Sequence, residues 1–261
     1  MAVETRSGLD AAPAWAAGEP AAAVDEAPDV SIVMPCLDEI AGVAVTVREA
    51  HEALAGLGRS GEVIVVDNGS RDDSPIAAAS EGATVVREGR RGYGAAVLRG
   101  LASANGGIVV IVDADGSYDF ADLGMLLERV AAGADLVVGV RLAGSCERGA
   151  MPWLHRRIGT PLLNVLIARL TGRRFRDSQS GFRAMRRQEA MALALSGHGM
   201  ELASEMLVRA HRAGLRIEET PIRYRRRLGV SKLRALPDGL RHGALLVRMS
   251  REDAHSTRST M

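Results

Sequence analysis

The chain has 261 residues, of which 47% are hydrophobic, 25% charged and only 3% aromatic. This composition excludes a wholly disordered or collagen-like chain, and no run reaches the roughly 18 apolar residues that a membrane-spanning helix needs. The net charge of +1 conceals an asymmetry, because residues 1–140 carry 22 acidic and 9 basic side chains whereas residues 141–250 carry 8 and 22.

The ends of the chain and its cysteines bear on where the protein works. Residues 1–29 are rich in alanine and proline and lack the basic start and apolar core of a signal peptide, so we expect a disordered leader. Residues 251–261 are polar and are expected to form a flexible tail. Cys36 and Cys146 have no metal-ligand spacing and fit a reducing compartment. We therefore expect a cytoplasmic protein.

Short β-rich runs alternate with helical segments through the first half of the chain. Strands are predicted at 30–34, 62–66, 83–86, 107–112 and 135–140, and helices at about 40–57, from 74, at 94–103 and at 120–132. Such alternation predicts βαβ units and a mostly parallel sheet with helices on both faces. Pro35 is expected to end the first strand. In such sheets ligands bind beyond the carboxyl ends of the strands.

The second half is less regular. An amphipathic helix is predicted at 154–170, with an apolar face formed by Leu162, Leu163, Leu166 and Ile167 beside several arginines. Further elements are a helix from residue 182, a helix at 200–213, an edge strand containing Pro221 at 217–224, and a helix at 234–249.

The sharpest chemical signal is the pair Asp113 and Asp115, which directly follows a strongly hydrophobic predicted strand. Two carboxylates one residue apart repel each other unless a positive group lies between them, and a divalent cation with oxygen ligands meets that need. An acidic turn without a ligand is the alternative. Asp67 and the Asp38–Glu39 pair follow neighbouring strands on the same predicted edge, which favours a Mg²⁺ or Mn²⁺ site open to substrate phosphate.

Several motifs together resemble the family 2 glycosyltransferases with the GT-A fold. In chain order they are Met34-Pro35-Cys36-Leu37-Asp38-Glu39, Val66-Asp67-Asn68-Gly69-Ser70, Gly92-Tyr93-Gly94 and Asp113-Ala114-Asp115. The second half is similar to the dolichyl- or polyprenyl-phosphate sugar synthase branch, through Asp177-x-x-Ser180-Gly181-Phe182-Arg183, Met200-Glu201 with Glu205, and Arg227-x-Gly229-x-Ser231-Lys232-Leu233.

The resemblance implies an α/β GT-A fold with a mostly parallel central sheet, helices on both faces and a basic helical C-terminal part. It divides the chain into a nucleotide-sugar-binding half, 30–140, and an acceptor-binding half, 141–250. It implies metal-dependent, inverting transfer of a hexose from a nucleotide sugar, of the GDP-mannose or UDP-glucose type, to a polyprenyl or dolichyl phosphate. Mg²⁺ or Mn²⁺ is the implied cofactor. No nucleic-acid partner is expected, and the protein would meet its lipid acceptor peripherally at the inner face of the cell membrane.

The same resemblance gives roles to the matching positions. Pro35, Leu37, Glu39 and Asp67 would line the base and ribose pocket, and Asp113 and Asp115 would hold the metal and the donor diphosphate. Arg141 and Arg156, or the adjacent Arg157, would meet the acceptor phosphate, so that Asp115, Arg141 and Arg156 form the implied catalytic set. Ser180, Arg183 and Lys232 would close over the diphosphate or the acceptor. The family pattern is broken at Cys36-Leu37-Asp38 and at Ser117, which leaves the identity of the donor open.

Three alternatives remain open at this point. A glycosyltransferase that acts on a soluble hydroxyl acceptor would need a carboxylate base, with Asp119 and Asp177 as candidates. A non-catalytic nucleotide-sugar-binding protein would bind without turnover. An anionic-membrane or nucleic-acid-binding protein would use the basic half without a nucleotide. The arginines at 223–227 fit a solvated surface as well as a binding site, and Glu201 and Glu205 fit ion pairs with arginine as well as substrate contacts.

Overall fold

The computed structural model describes residues 27–231, 241–245 and 247–250. Within these residues seven strands form one sheet: β1 (Val30–Cys36), β2 (Gly61–Asp67), β3 (Thr84–Arg87), β4 (Ile108–Ile111), β5 (Leu136–Val140), β6 (Arg183–Arg186) and β7 (Ile217–Pro221). Their order across the sheet is β3-β2-β1-β4-β6-β5-β7. Of these strands, β6 alone is antiparallel to its neighbours, so the predicted mostly parallel sheet is confirmed.

The described helices are α1 (Val43–Gly56), α2 (Ser74–Ser80), α3 (Tyr93–Ser103), α4 (Leu123–Ala131), α5 (Thr160–Thr171), α6 (Arg187–Ala192) and α7 (Leu202–Arg212). A 3₁₀ turn, Phe120–Asp122, precedes α4, and a π turn, His155–Gly159, precedes α5. Residues 241–245 and 247–250 are also helical, and the remainder of the predicted helix at 234–249 lies outside the described residues. Among the residues described, no helix is long and apolar enough to cross a membrane.

The sheet separates two hydrophobic layers. Ile32 and Met34 of β1 pack in the layer that contains α1 and α4, whereas Val33 packs in the layer that contains α3, α5 and α7. This alternation follows from the pleat, which points successive side chains to opposite faces of the sheet. Because helices cover both faces, the strands are apolar at nearly every position, as expected for a parallel sheet.

Two predictions about local structure are wrong. Pro35 does not end β1, which continues to Cys36; the last pair between β1 and β4 is Val33 with Ile111, so the absent proline N–H costs no bond to β4. The helix predicted from residue 182 begins only at Arg187, as α6, because residues 183–186 form the strand β6 between β4 and β5. Residues 183–186 begin and end with arginine and lack the pattern of a strand. They are extended because they pair with β4 on one side and β5 on the other.

Candidate active site

A pocket of about 330 Å³ lies beyond the carboxyl ends of β1, β2 and β4. Its walls come from seven parts of the chain and combine acidic, basic and aromatic groups. The lining includes Pro35, Cys36, Leu37, Glu39, Asn68, Arg91, Gly92, Tyr93, Ala96, Asp113, Asp115, Gly199, Met200, Arg227 and Arg241. Five of the predicted site residues are therefore brought together: Pro35, Leu37, Glu39, Asp113 and Asp115.

The pair Asp113 and Asp115 faces this pocket from the loop after β4. Burial and the neighbouring Asp115 carboxylate raise the pKa of Asp113 to about 7, so the pair resists carrying two negative charges. The backbone of Gly181 lies close to the pair. A side chain at this position would crowd Asp113, because its Cβ would lie 2.9 Å from an Asp113 carboxylate oxygen. Across the described residues, no group of three or more His, Cys, Asp or Glu side chains could hold a metal ion. Two carboxylates that open onto a pocket nevertheless fit Mg²⁺ or Mn²⁺, which accept substrate phosphate and water as their other ligands.

Arg227 brings a positive charge to the acidic pair from the other half of the chain. Its Nη2 donates to Glu39 Oε1 at 2.8 Å and lies 3.2 Å from Asp115 Oδ2. The backbone holds it there, since the Leu228 N–H donates to the Asp115 carbonyl oxygen at 2.9 Å. The segment around Arg227 therefore forms one wall of the pocket, with an arginine next to the carboxylates that would hold a cation.

The arginines that precede Arg227 are engaged within the protein, although Arg223 and Arg226 remain exposed to solvent. Arg223 Nη2 lies 2.8 Å from Asp122 Oδ1, and Arg225 lies 3.0 Å from Glu49 and 2.9 Å from Asp119. Each pair joins the basic half of the chain to the acidic half. Part of the charge asymmetry is thus explained by ion pairs within the protein, rather than wholly by a cation and an anionic acceptor.

Asp119 is a poor candidate for a general base. Burial by itself would raise its pKa, but the hydrogen bond from the Ala121 N–H and the adjacent guanidinium groups of Arg225 and Arg223 lower its pKa overall. A carboxylate with a lowered pKa holds a proton weakly. The structure therefore gives Asp119 a role in fixing the 223–225 segment.

Asp177, the second candidate base, is fully buried in an ion pair with Arg141. Arg141 Nε and Nη2 each donate to one Asp177 carboxylate oxygen at 2.8 Å, and the Arg141 backbone N–H donates at 3.1 Å. The guanidinium carbon also lies 5.3 Å from the centre of the Tyr224 ring. Arg141 does not line the pocket, and two of its side-chain nitrogens are engaged in this pair. A contact between Arg141 and the acceptor stays a prediction. The structure shows in addition that Arg141 has a structural role, as the partner of Asp177.

Arg183 does not line the pocket, and its predicted contact with the diphosphate or the acceptor stays a prediction. Its guanidinium is buried, and its three nitrogen atoms donate to the backbone carbonyls of Ser180, Ala203 and Ser178 at 2.8–2.9 Å. These bonds hold the segment before β6 against α7. Ser180 is also fully buried, away from the pocket lining, and its Oγ has no hydrogen-bond partner.

Three further predicted positions that the structure describes fall outside the pocket lining, and a fourth is not described. Asp67 is buried and accepts a hydrogen bond from the Ser70 N–H at 2.8 Å, while its neighbour Asn68 reaches the pocket. Arg156 and Arg157 are exposed on the π turn before α5. Lys232 lies outside the described residues. The roles assigned to these four residues stay predictions.

Two residues near the start of α3, Asn68 and Tyr93, contribute to the site although no role is predicted for them from sequence. Asn68 fixes this region, since its Oδ1 accepts from the Gly92 N–H at 2.7 Å and its Nδ2 donates to the Arg90 carbonyl at 2.7 Å. Tyr93 lines the pocket, and burial together with the Asp113 carboxylate raises the pKa of its hydroxyl well above the ordinary value. Both residues lie in motifs of the sequence, but the short Gly92-Tyr93-Gly94 motif does not by itself assign a role to the tyrosine.

Two glutamates shape the wall before α7. Glu205 is fully buried and accepts hydrogen bonds from the Ser196 and Gly197 N–H groups and from Arg209, which confirms an ion pair there. Glu201 accepts from the Gly199 N–H through Oε1, whereas its buried Oε2 has no hydrogen-bond partner. Because Gly199 lines the pocket and Oε2 lies beside it, this oxygen is an acceptor close to the pocket.

A substitution at Gly94 tests how tightly this wall is built. A Cβ at Gly94 would lie 2.3 Å from the Gly197 carbonyl oxygen, so the backbone at 197–199 must move. We expect Gly94→Ala to destabilise the protein by about 1–3 kcal/mol and to weaken nucleotide binding. Gly89→Ala is the matched control, because its Cβ would meet nothing within 4 Å. Melting curves and nucleotide titration of both variants measure the difference, and equal behaviour would contradict this account of the wall.

The sequence matches a known family over most of this structure. A family model described as glycosyl transferase family 2 covers residues 31–192, more than half of the chain. The chain belongs to glycosyl transferase family 2. The family 2 assignment agrees with the sheet order and with the acidic pair at the end of β4, and it confirms the resemblance found in the sequence.

Two of the relatives that this chain matches, both from Haloferax volcanii, show the range of the similarity. The chain is 40% identical over 219 residues to the low-salt glycan biosynthesis hexosyltransferase Agl6, which covers 84% of this chain and 53% of Agl6. It is 30% identical over 225 residues to a dolichyl-phosphate hexose transferase, which covers 86% of this chain and 95% of the relative. The chain therefore spans about half the length of Agl6 and nearly all of the second protein.

A solved structure supports the fold. It is glucosyl-3-phosphoglycerate synthase from Mycobacterium tuberculosis in complex with Mn²⁺ and uridine-diphosphate-glucose, with a TM-score of 0.64 and 26% sequence identity. The match covers 85% of this chain and 79% of that chain. The GT-A fold implied by the sequence motifs is confirmed.

Proposed function

We propose that this family 2 protein transfers a hexose from a nucleotide sugar to a polyprenyl phosphate, with a divalent cation at Asp113 and Asp115. The observation that carries the proposal is the charge pattern of the pocket. Two carboxylates suited to a cation face the same space as the arginines Arg91, Arg227 and Arg241. This combination suits a nucleoside diphosphate, whose phosphates bind both a cation and guanidinium groups.

Two observations support a lipid phosphate as the acceptor. The relative that this chain matches along 95% of its length is named a dolichyl-phosphate hexose transferase. In addition, Asp119 and Asp177 are engaged by arginines, which makes them poor bases. A phosphate monoester has a second pKa of about 6 and is already anionic at neutral pH, so it attacks without a base.

In the proposed reaction, a phosphate oxygen of the acceptor forms a bond to the anomeric carbon of the sugar. The bond from that carbon to the diphosphate breaks, and the nucleoside diphosphate leaves with the electron pair, inverting the configuration. A bound cation would neutralise charge on the departing diphosphate. Arg91, Arg227 and Arg241 would add positive charge to that group, and Pro35 and Leu37 would contact the base and ribose.

The test is a transfer assay with a panel of labelled nucleotide sugars, including UDP-glucose and GDP-mannose, and polyprenyl phosphate in detergent. We expect label to enter the organic phase with one donor, to require Mg²⁺ or Mn²⁺, and to remain aqueous when dephosphorylated polyprenol replaces the acceptor. Binding of nucleotide without any transfer to the lipid phosphate would contradict the proposal.

One observation favours a second candidate, transfer to a soluble hydroxyl acceptor. The buried Glu201 Oε2 has no hydrogen-bond partner and lies beside the pocket-lining Gly199, where it could accept a proton from a hydroxyl nucleophile. If this candidate holds, Glu201→Gln abolishes transfer while nucleotide affinity stays the same. If the acceptor is a phosphate, Glu201→Gln retains transfer, because no proton needs to be removed.

A further inference from the structure

The helix α5 is apolar on two faces, and within the described residues only one of them packs against the rest of the protein. Ile167 is fully buried, and Leu163 and Leu166 pack against the hydrophobic layer that contains α3 and α7. The face predicted from sequence to be apolar is therefore mostly core. Leu162, which belonged to the same prediction, points elsewhere and is 56% exposed.

A second apolar face, here called the docking face, consists of Trp153, Leu154, Ile158, Leu162 and Val165. These side chains are 69%, 49%, 50%, 56% and 49% exposed, in that order. The last four of these residues are separated by four, four and three positions. They therefore lie on one side of the π turn and of α5. Single exposed apolar residues are ordinary, but a continuous row of five large ones indicates a surface that meets an apolar partner.

The charged side chains of the segment that carries the docking face have one sign. Residues 148–176 contain seven arginines and no aspartate or glutamate. Arg156 and Arg157 are exposed near one end of the row, and Arg169 and Arg174 are exposed at the other. The latter two border a groove of about 410 Å³ whose wall includes Val165 and Phe175. Guanidinium groups beside apolar surface match lipid phosphates above acyl chains.

The docking face connects to the catalytic pocket through Asn164. Its Oδ1 accepts from the Ser178 N–H at 3.0 Å and its Nδ2 donates to the Arg176 carbonyl at 2.9 Å. The segment fixed by these bonds continues to Gly181, where the backbone lies against the Asp113 carboxylate. A partner that binds the docking face and fixes α5 would therefore also fix the segment that lies against Asp113 in the pocket.

We infer that the docking face binds the surface of an anionic lipid bilayer, with its apolar row inserted among the acyl chains and its arginines on the headgroup phosphates. This inference deepens the proposed function, because a polyprenyl phosphate keeps its chain in the bilayer. A second copy of the protein is a less suitable occupant. In a symmetric dimer this face would meet itself, and the arginines would repel each other.

The experiment is vesicle co-sedimentation of the full chain, with no nucleotide and no polyprenyl phosphate present. Vesicles of phosphatidylcholine with about one third phosphatidylglycerol are compared with pure phosphatidylcholine, at low and at high salt. We expect binding to the anionic vesicles that salt weakens. Leu162→Asp/Val165→Asp should lower the partition coefficient on the order of tenfold or more, since both side chains leave the membrane.

Matched variants separate the possible outcomes. Ile76→Asp/Met191→Asp changes residues that are 54% and 49% exposed on α2 and α6 and should bind like the wild type. Arg169→Ala/Arg174→Ala should reduce binding to anionic vesicles only. The Leu162/Val165 variant should melt like the wild type, whereas the buried Ile167→Asp should not fold. Wild-type binding by the Leu162/Val165 variant, or a dimer that this variant dissociates, would overturn the inference. Because the vesicles lack substrate, the result is independent of whether the transfer assay succeeds.

Discussion

Asp115→Asn is expected to lower sugar transfer by on the order of 10³-fold while the protein remains folded. Asp115 faces the pocket, and its carboxylate lies one residue from Asp113, whose pKa is raised to about 7 by burial and by this same neighbour. The substitution removes that repulsion, and Arg227 retains its hydrogen bond to Glu39, so the fold loses little. What is lost is a negative ligand for the cation that would bind the donor diphosphate.

The measurements are transfer rate, melting temperature and Mn²⁺ affinity by titration without substrate. Asp73→Asn is the matched control, because Asp73 is exposed before α2 and its side chain makes no capping hydrogen bond there. We expect the control to behave like the wild type in all three measurements. Full wild-type activity in the presence of a strong chelator would show that the acidic pair does not act through a metal.

Arg141→Ala is expected to destabilise the protein by about 3–5 kcal/mol, because it leaves the fully buried Asp177 carboxylate without its partner. For a protein of this size such a loss corresponds to a fall of about 6–20 °C in melting temperature. The same substitution would also be the direct test of an acceptor contact, so the two effects must be separated. Stability is therefore measured first.

The double variant Arg141→Met/Asp177→Asn makes that separation. It removes both charges and leaves an amide oxygen that can still accept from the backbone N–H at residue 141. We expect it to regain most of the lost stability, since a buried ion pair contributes little compared with neutral groups of similar volume. If the stable double variant transfers sugar normally, Arg141 acts through the fold. If it folds normally and loses use of the phosphorylated acceptor, Arg141 contacts the acceptor as predicted.

Several features of this protein are determined by local sequence. The alternation of apolar strands and helices predicts the parallel sheet, because the pleat and the helical period are local properties of the chain. The acidic pair at Asp113 and Asp115 is recognisable for the same reason, since both residues lie in one loop at the end of one strand. The motifs before and after it then predict the family, which the match over residues 31–192 confirms.

Tertiary structure decided which charged and apolar groups face solvent, a binding site or each other. Arg183, Arg223 and Arg227 look alike in sequence, yet the first bonds backbone carbonyls, the second pairs with Asp122 and the third lines the pocket. Likewise Leu162 is exposed and Leu163 packs inward, although both belong to one apolar run. Periodicity tells which residues share a face, but the elements that cover that face come from distant parts of the chain. The partner of a charge and the cover of an apolar face are long-range properties, and so only the fold determines them.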